Sequence, residues 1–291
     1  MTDYGELFRE LAVPRLVGTP NHQKVREVLK RELSARGFEI EEHAFSGRPS
    51  RAFFGSPAIV RGVNLIAPPV RPSAHPPVWL VAHYDSKGQP ISMALRLVGF
   101  GALVAGLPTV LLVPLLGAVL LALGVAIALF NRVTDNSPGA LDNASALVTI
   151  FMTLDQLPSD AGVGVIFPDA EEYGLVGARA LAVERAQLFA GASVVNLDGI
   201  DDSGGVTAFL HRPGSAVRVV ANAVGASTWR WLPVIVDGIA LAPASRECVT
   251  IMKGGWHTML VVHRPADTAR RLRLDGAASV AAGLARVLRT P

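Results

Sequence analysis

Short apolar runs alternate with amphipathic stretches along most of the chain, and one long apolar block interrupts that rhythm. Residues 1–45 predict a short helix, a longer helix from Asn21 to Arg36, and then a strand. Gly37 stands where a C-terminal glycine cap belongs, and extended alternation runs from Phe38 to Phe45. Ala58 to Ile66 and Val78 to His83 are β-branched-rich runs bounded by turn residues and predict strands. Asp142 to Gln156 has helical periodicity, Val163 to Phe167 predicts a buried strand, Leu175 to Leu188 a helix, and Ser193 to Leu197 another buried strand. Thr207 to Leu210, Val234 to Val236 and Met259 to Val262 also read as strands, and Ala269 to Leu288 as an amphipathic helix. Strands alternating with helices in this order predict a three-layer α/β/α sandwich around a mostly parallel, mixed central sheet.

The interruption is ISMALRLVGFGALVAGLPTVLLVPLLGAVLLALGVAIALF, residues 91–130, in which Arg96 is the only charged residue. One spanning helix needs about 20 apolar residues, so a block of this length predicts two short spans or a re-entrant hairpin. Pro108 and Pro114 mark its turn, because proline ends or kinks a helix. The chain therefore divides into residues 1–90 with 131–291, forming one domain, and an inserted hydrophobic helical hairpin at 91–130.

Composition sharpens this picture. Half of the 291 residues are hydrophobic and 18% are charged, against about 25% charged in an ordinary soluble domain. The surplus lies mainly in the block. This excludes intrinsic disorder, a disulfide-stapled module and a polytopic transporter. The net charge of +3 is scattered, with no aromatic-interleaved basic run, so a nucleic-acid partner is not expected. A lipid bilayer is. Lys87, Arg96 and Arg132 flank the block and its tip is uncharged, which predicts a membrane protein whose main domain faces the cytoplasm. The single Cys248 fits a reducing compartment, and the polar Met1 to Glu10 does not read as a signal peptide.

The chemistry gathers at strand exits, where open α/β sheets bind ligands. VWLVA ends in His83-Tyr84-Asp85, VGVIF runs into Asp169-Ala170-Glu171-Glu172, SVVNL ends in Asp198, and MLVV ends in His263. Asp142-Asn143 opens a helix just after Gly139. Each feature alone is ordinary, since an Asp opening a helix is usually a cap. Together they crowd carboxylates that repel unless cations hold them. Two imidazoles and three carboxylates suit two divalent ions sharing a bridging carboxylate, and the imidazoles favour zinc.

With LVGTPNHQKVREVLKRELSARGFEIEEHAF, VAHYDS, SPGALDNASA, FPDAEEYGLVGARAL, VVNLDG and VHRPADT in order along residues 16–268, the chain resembles the M28 family of co-catalytic zinc aminopeptidases. The resemblance implies a zinc-exopeptidase-like fold and two Zn2+ ions. It implies His83 and Asp198 on one ion, Glu172 and His263 on the other, and Asp142 bridging both. Glu171 would be the general base, and Asp85 would orient His83. His263 is preferred to His257 as the last ligand because His263 and Asp267-Thr268 keep the family spacing. Ser245-Arg246-Glu247 stands where members often show SDH. The implied activity is membrane-attached hydrolysis of an N-terminal peptide or amino-acid amide bond, on a peptide or acylated amino-acid substrate. Two readings compete with it: a single-zinc, glutaminyl-cyclase-like acyltransferase, and a non-catalytic receptor or scaffold. The hairpin could gate a lipid-like substrate, act as a plain anchor, or support homo-oligomers through its small residues.

Overall fold

The computed structural model describes residues 2–50, 56–71, 77–231 and 235–289. Helices α1 (Tyr4–Leu11) and α2 (Pro20–Ala35) precede strands β1 (Glu41–Gly47), β2 (Val60–Ala67) and β3 (Val78–Val81). The hairpin follows as α3 (Met93–Leu112) and α4 (Pro114–Leu129), then α5 (Ser145–Leu154), β4 (Val163–Phe167), α6 (Val176–Glu184) and α7 (Ala186–Phe189). The chain continues through β5 (Ser193–Ile200), β6 (Gly205–Arg212), α8 (Ser215–Ala223), β7 (Ser227–Trp229) and α9 (Asp237–Leu241). It ends in β8 (Glu247–Gly254), α10 (Trp256–Val261) and α11 (Asp275–Leu288).

Local chemistry explains the elements. The Thr19 hydroxyl caps α2, Pro20 occupies its first turn, and Val25, Leu29 and Leu33 recur at helical spacing on its buried face. Strands β4 and β5 are buried along their whole length, as continuous apolar runs covered on both faces must be. The eight strands form one mixed sheet in the order β1-β2-β4-β3-β5-β8-β6-β7. The contiguous centre β4-β3-β5-β8 is parallel, so four strand exits open side by side. One hydrophobic cluster packs α1, α2, α5, α8 and α11 on one face, and a second packs α6, α7 and α9 on the other. This is the three-layer sandwich.

Two expectations need correction. Met259 to Val262 lies mostly in helix α10, not in a strand. Its short apolar run is compatible with either form, and here Gly255 opens a helix in which the Thr258 hydroxyl accepts from the Gly255 N–H at 2.9 Å. The strand beside β5 is instead β8, whose charged ends mask the buried centre Cys248–Ile251. Of Val234 to Val236, Val234 lies outside the described residues, and Ile235 and Val236 form no strand but lead into α9.

The hairpin inverts the burial pattern of a soluble helix pair. Its buried positions are small, Ala94, Gly99, Ala102 and Gly106 in α3 and Gly117 and Gly124 in α4, while Phe100, Leu107, Leu111, Leu112 and Leu115 are exposed. The glycines are required by close approach. A Cβ on Gly117 would lie 2.2 Å from the Val110 nitrogen, and one on Gly106 would lie 2.9 Å from the Leu121 side chain. The turn falls at Val113–Pro114, and Pro108 stays inside α3. At the base, Gly88 and Thr134 form an antiparallel bridge, with N–H···O distances of 2.7 and 2.9 Å, that ties the departing and returning chain together.

Candidate metal centre

Tertiary hydrogen bonds bring the strand exits together. Asp85 sits behind His83, with its carboxylate 3.3 Å and its carbonyl 3.2 Å from Nδ1. The same carboxylate accepts from the Glu171 and Glu172 backbone N–H groups at 3.1 and 3.2 Å. One side chain thus orients a histidine from β3 and fixes the turn after β4. That turn is entered through Ala170 in the left-handed region, at φ 58°. Asp169 steadies it by accepting from the Val63 and Ala170 N–H groups and the Tyr84 hydroxyl, with the His22 ring nitrogen 2.8 Å away.

The Asp142 segment is pinned from three sides. Arg15, wholly buried, donates to the carbonyls of Tyr84, Pro138 and Gly139. Burial pushes its pKa down to about 10, with Asp85 and Asp142 acting against that shift, so it stays a cation at neutral pH. Gly139 has a φ of +59°, and a Cβ there would meet the Asp142 carbonyl at 2.4 Å. Asp267 accepts from the Leu141 and Asp142 N–H groups at 2.8 and 3.3 Å. The Asn143 side chain joins this segment to the Leu197 carbonyl and the Gly199 N–H, which brings Asp198 beside Asp142.

Two groups of side chains result. His83, Asp142 and Asp198 present ligand atoms within 4.8 Å of one another, and so do Asp142, Glu172 and His263. Asp142 belongs to both. Its Oδ1 lies 3.1 Å from His83 Nε2 and its Oδ2 3.0 Å from His263 Nε2, which is 2.9 Å from Glu172 Oε1. Among the described residues, Asp142 Oδ1 and both Glu172 oxygens are buried without a well-aligned hydrogen bond, although Lys87 Nζ is 2.8 Å from Glu172 Oε2. Burial without such bonds is costly unless a cation lies among the oxygens, so this imidazole and carboxylate donor set fits divalent metal. Glu171 lines the adjoining cavity of about 320 Å³.

The electrostatics reflect the crowding. Burial raises the Asp198 pKa well above the usual carboxylate range, Asp142 adds to it, and His83 partly opposes. Burial also acts to raise Asp142, but His263 and His83 outweigh it and hold that carboxyl well below its ordinary value. For His83, burial acts downward and is outweighed by Asp142, Asp85 and Glu171, so its pKa is raised.

His257 is exposed on α10, whereas His263, at φ +64°, lies in the cluster. Glu247 is not at the site. It begins β8 at the opposite edge of the sheet and accepts from the Val217 N–H at 3.1 Å. The carboxylate that sequence reasoning missed is Asp237, buried at the start of α9 with both oxygens lacking a hydrogen-bond partner among the described residues. Burial, then the neighbouring Glu171, raises its pKa. Its only signal in the sequence is an Asp-Gly pair after the short apolar run Val234–Val236, the same pattern as the other strand exits. Of the three flanking cations, Lys87 is buried against Glu172, Arg96 is partly buried with Nη2 2.7 Å from His263 Nδ1, and Arg132 alone is exposed.

Fold and site define an α/β protein with a carboxylate–imidazole centre at parallel strand exits. The model of peptidase family M28 matches residues 64–228, and the chain belongs to that family, which is zinc-dependent. Among solved structures it is similar to glutaminyl cyclase from Porphyromonas gingivalis, with a TM-score of 0.66 and 17% identity over 98% of this chain and 96% of that one. It is equally similar to the aminopeptidase from Aneurinibacillus sp. strain AM-1, with a TM-score of 0.66 and 11% identity over 98% and 92%. For glutaminyl cyclase from Fimbriiglobus ruber the values are 0.64 and 18%, over 98% and 93%. These identities establish a shared fold.

Proposed function

We propose that the chain is a membrane-attached dizinc exopeptidase that hydrolyses an N-terminal peptide or amino-acid amide bond. The observation that carries this reading is the pair of ligand groups sharing Asp142 beside Glu171. His83, Asp142 and Asp198 would hold one ion, and Asp142, Glu172 and His263 would hold the other. When bound, zinc supplies Lewis acidity and makes water a competent nucleophile near neutral pH. Glu171 takes a proton from the attacking water and delivers it to the leaving amine. Asp85 keeps the His83 ring and the Glu171–Glu172 turn in register, and the buried Asp237 is close enough to Glu171 for the two carboxylates to repel.

The hairpin is the membrane attachment. Helix α3 has 20 residues and is long and apolar enough to cross a bilayer, while α4 is a shorter apolar helix of 16. At 1.5 Å per residue, α3 is about 30 Å long, and its first turn stays at the site, where Met93 lines the cavity and Arg96 reaches the His263 ring. Exposed Arg132 at the returning end and the free, buried Cys248 favour a cytoplasmic main domain.

A second reading, single-zinc cyclisation of an N-terminal glutaminyl residue, draws support from the fold shared with glutaminyl cyclases and from Lys87 engaging one oxygen of Glu172. Assays of aminoacyl arylamides and of glutaminyl peptides separate the two. The peptidase reading expects arylamide hydrolysis, and it expects Glu171→Gln to keep its zinc while turnover falls about 10²–10⁴-fold. Retained turnover in that variant, or cyclisation without hydrolysis, would sink it.

A further inference from the structure

The two candidate ligand histidines differ in what stands behind them. A neutral ring that ligates through Nε2 carries its proton on Nδ1, and the group behind it is ordinarily a carboxylate or carbonyl that accepts that proton. His83 has this arrangement. Its Nδ1 faces the Asp85 carboxylate at 3.3 Å and the Asp85 carbonyl at 3.2 Å, which leaves Nε2 turned toward Asp142. His263 has the reverse. Its Nδ1 lies 2.7 Å from Nη2 of Arg96, and a guanidinium has donors but no acceptor. Nδ1 is therefore the acceptor of this pair, and the ring proton sits on Nε2. There it faces Asp142 Oδ2 at 3.0 Å, with Glu172 Oε1 2.9 Å away. A doubly protonated ring would set an N–H against the Arg96 N–H.

Arg96 belongs to the hairpin. It lies in the first turn of α3, where the Ser92 hydroxyl caps the helix by accepting from the Leu95 N–H at 3.2 Å. The backbone on both sides of the contact is tied together. The Gln89 N–H donates to the His263 carbonyl at 2.7 Å, and the Arg264 side chain donates to the Gln89 carbonyl at 3.2 Å. Helix α10, which leads into His263, packs against α3. The foot of the apolar helix pair thus sets the surroundings of one ligand ring and not of the other.

We propose that Arg96 holds His263 in the tautomer that does not ligate metal, and that it must withdraw before Asp142, Glu172 and His263 can close on an ion. This deepens the dizinc reading and rests on its assignment of His263 as a ligand. As Arg96 leaves, the ring proton passes from Nε2 to Nδ1 and the ring stays neutral. A long side chain at the end of an apolar helix has another place to go, with its guanidinium turned out to the polar surface beside the block. Arg96 is then a positioning residue that links hairpin and metal. Whatever loosens the foot of α3 from His263 favours loading, and loading loosens that foot to the same extent.

The test uses the full chain in detergent micelles, stripped of metal and carrying isotope-labelled histidine. The His263 ring, identified by the signals lost in His263→Asn, should show a protonated Nε2 and a bare Nδ1. A proton on Nδ1 would overturn the proposal. Zinc affinity is then read by chelator competition in Asp198→Asn, which confines zinc to the Asp142–Glu172–His263 group. Adding Arg96→Met should tighten that ion by about 10–100-fold, the range through which groups behind a ligand act. Arg96→Lys, which keeps a cation with donors only, should not. Equal or weaker binding in the methionine variant would overturn the proposal and leave the dizinc reading standing. If Asp198→Asn binds no zinc, the ligand reading fails, and the tautomer in the parent protein decides the Arg96 contact alone.

Discussion

Asp85 shows how much of the centre depends on one side chain outside the ligand set. Its carboxylate stands behind His83 and also accepts from the Glu171 and Glu172 amides. Partners of this kind typically change metal affinity 10–100-fold when removed. Asp85→Asn should therefore weaken zinc binding by about that factor in a chelator competition and slow turnover as the Glu171 turn loosens; unchanged zinc affinity would contradict this role. His211 offers a separate check, remote from the ligands. Burial lowers its pKa to about 4, and its Nε2 lies 2.9 Å from the Thr250 hydroxyl. A depressed histidine pKa favours the neutral ring in the folded state. Its contribution is present above the unfolded value of about 6.5 and is lost as pH falls toward about 4. Thermal unfolding followed across that window should show His211→Gln losing less stability than the parent, and parallel curves would count against it.

At the scale of elements, the sequence conveyed the centre better than the edges. Strands buried on both faces advertise themselves as apolar runs, so β3, β4 and β5 and the residues at their exits were legible. Met259 to Val262 was not, because four apolar residues satisfy either periodicity and the deciding contact, the Thr258 hydroxyl at the Gly255 N–H, is a feature of the folded turn. Asp237 was obscured for a related reason: its burial near the charge of Glu171 is a tertiary fact. The hairpin shows the opposite balance. Its composition announced two helices, and its glycines are where the helices touch. Gly117→Val would drive a side chain into the Val110 backbone, and overpacking of this kind costs about 1–3 kcal/mol. The variant's thermal unfolding in detergent micelles should begin several degrees below the parent's.

For the whole molecule, the central fact is that the apolar insertion and the ligand cluster share a foundation. The Gly88–Thr134 bridge closes the hairpin base, Gln89 joins it to His263, and Lys87 and Arg96, which the sequence offers as membrane-flanking charges, point into the centre. Charge counting along the chain could not separate a cation at a bilayer surface from one engaged by a buried carboxylate or imidazole. The insertion therefore contributes Met93 to the cavity beside the ligand cluster and is tied to the loop of one candidate ligand, His263. The claim on which the rest depends is that Asp142 bridges two ions. Zinc per chain, measured by elemental analysis on the purified full-length protein, tests it most directly. Two equivalents are expected in the parent and one in Asp198→Asn; a single equivalent in the parent, unchanged by that substitution, would contradict the dizinc account.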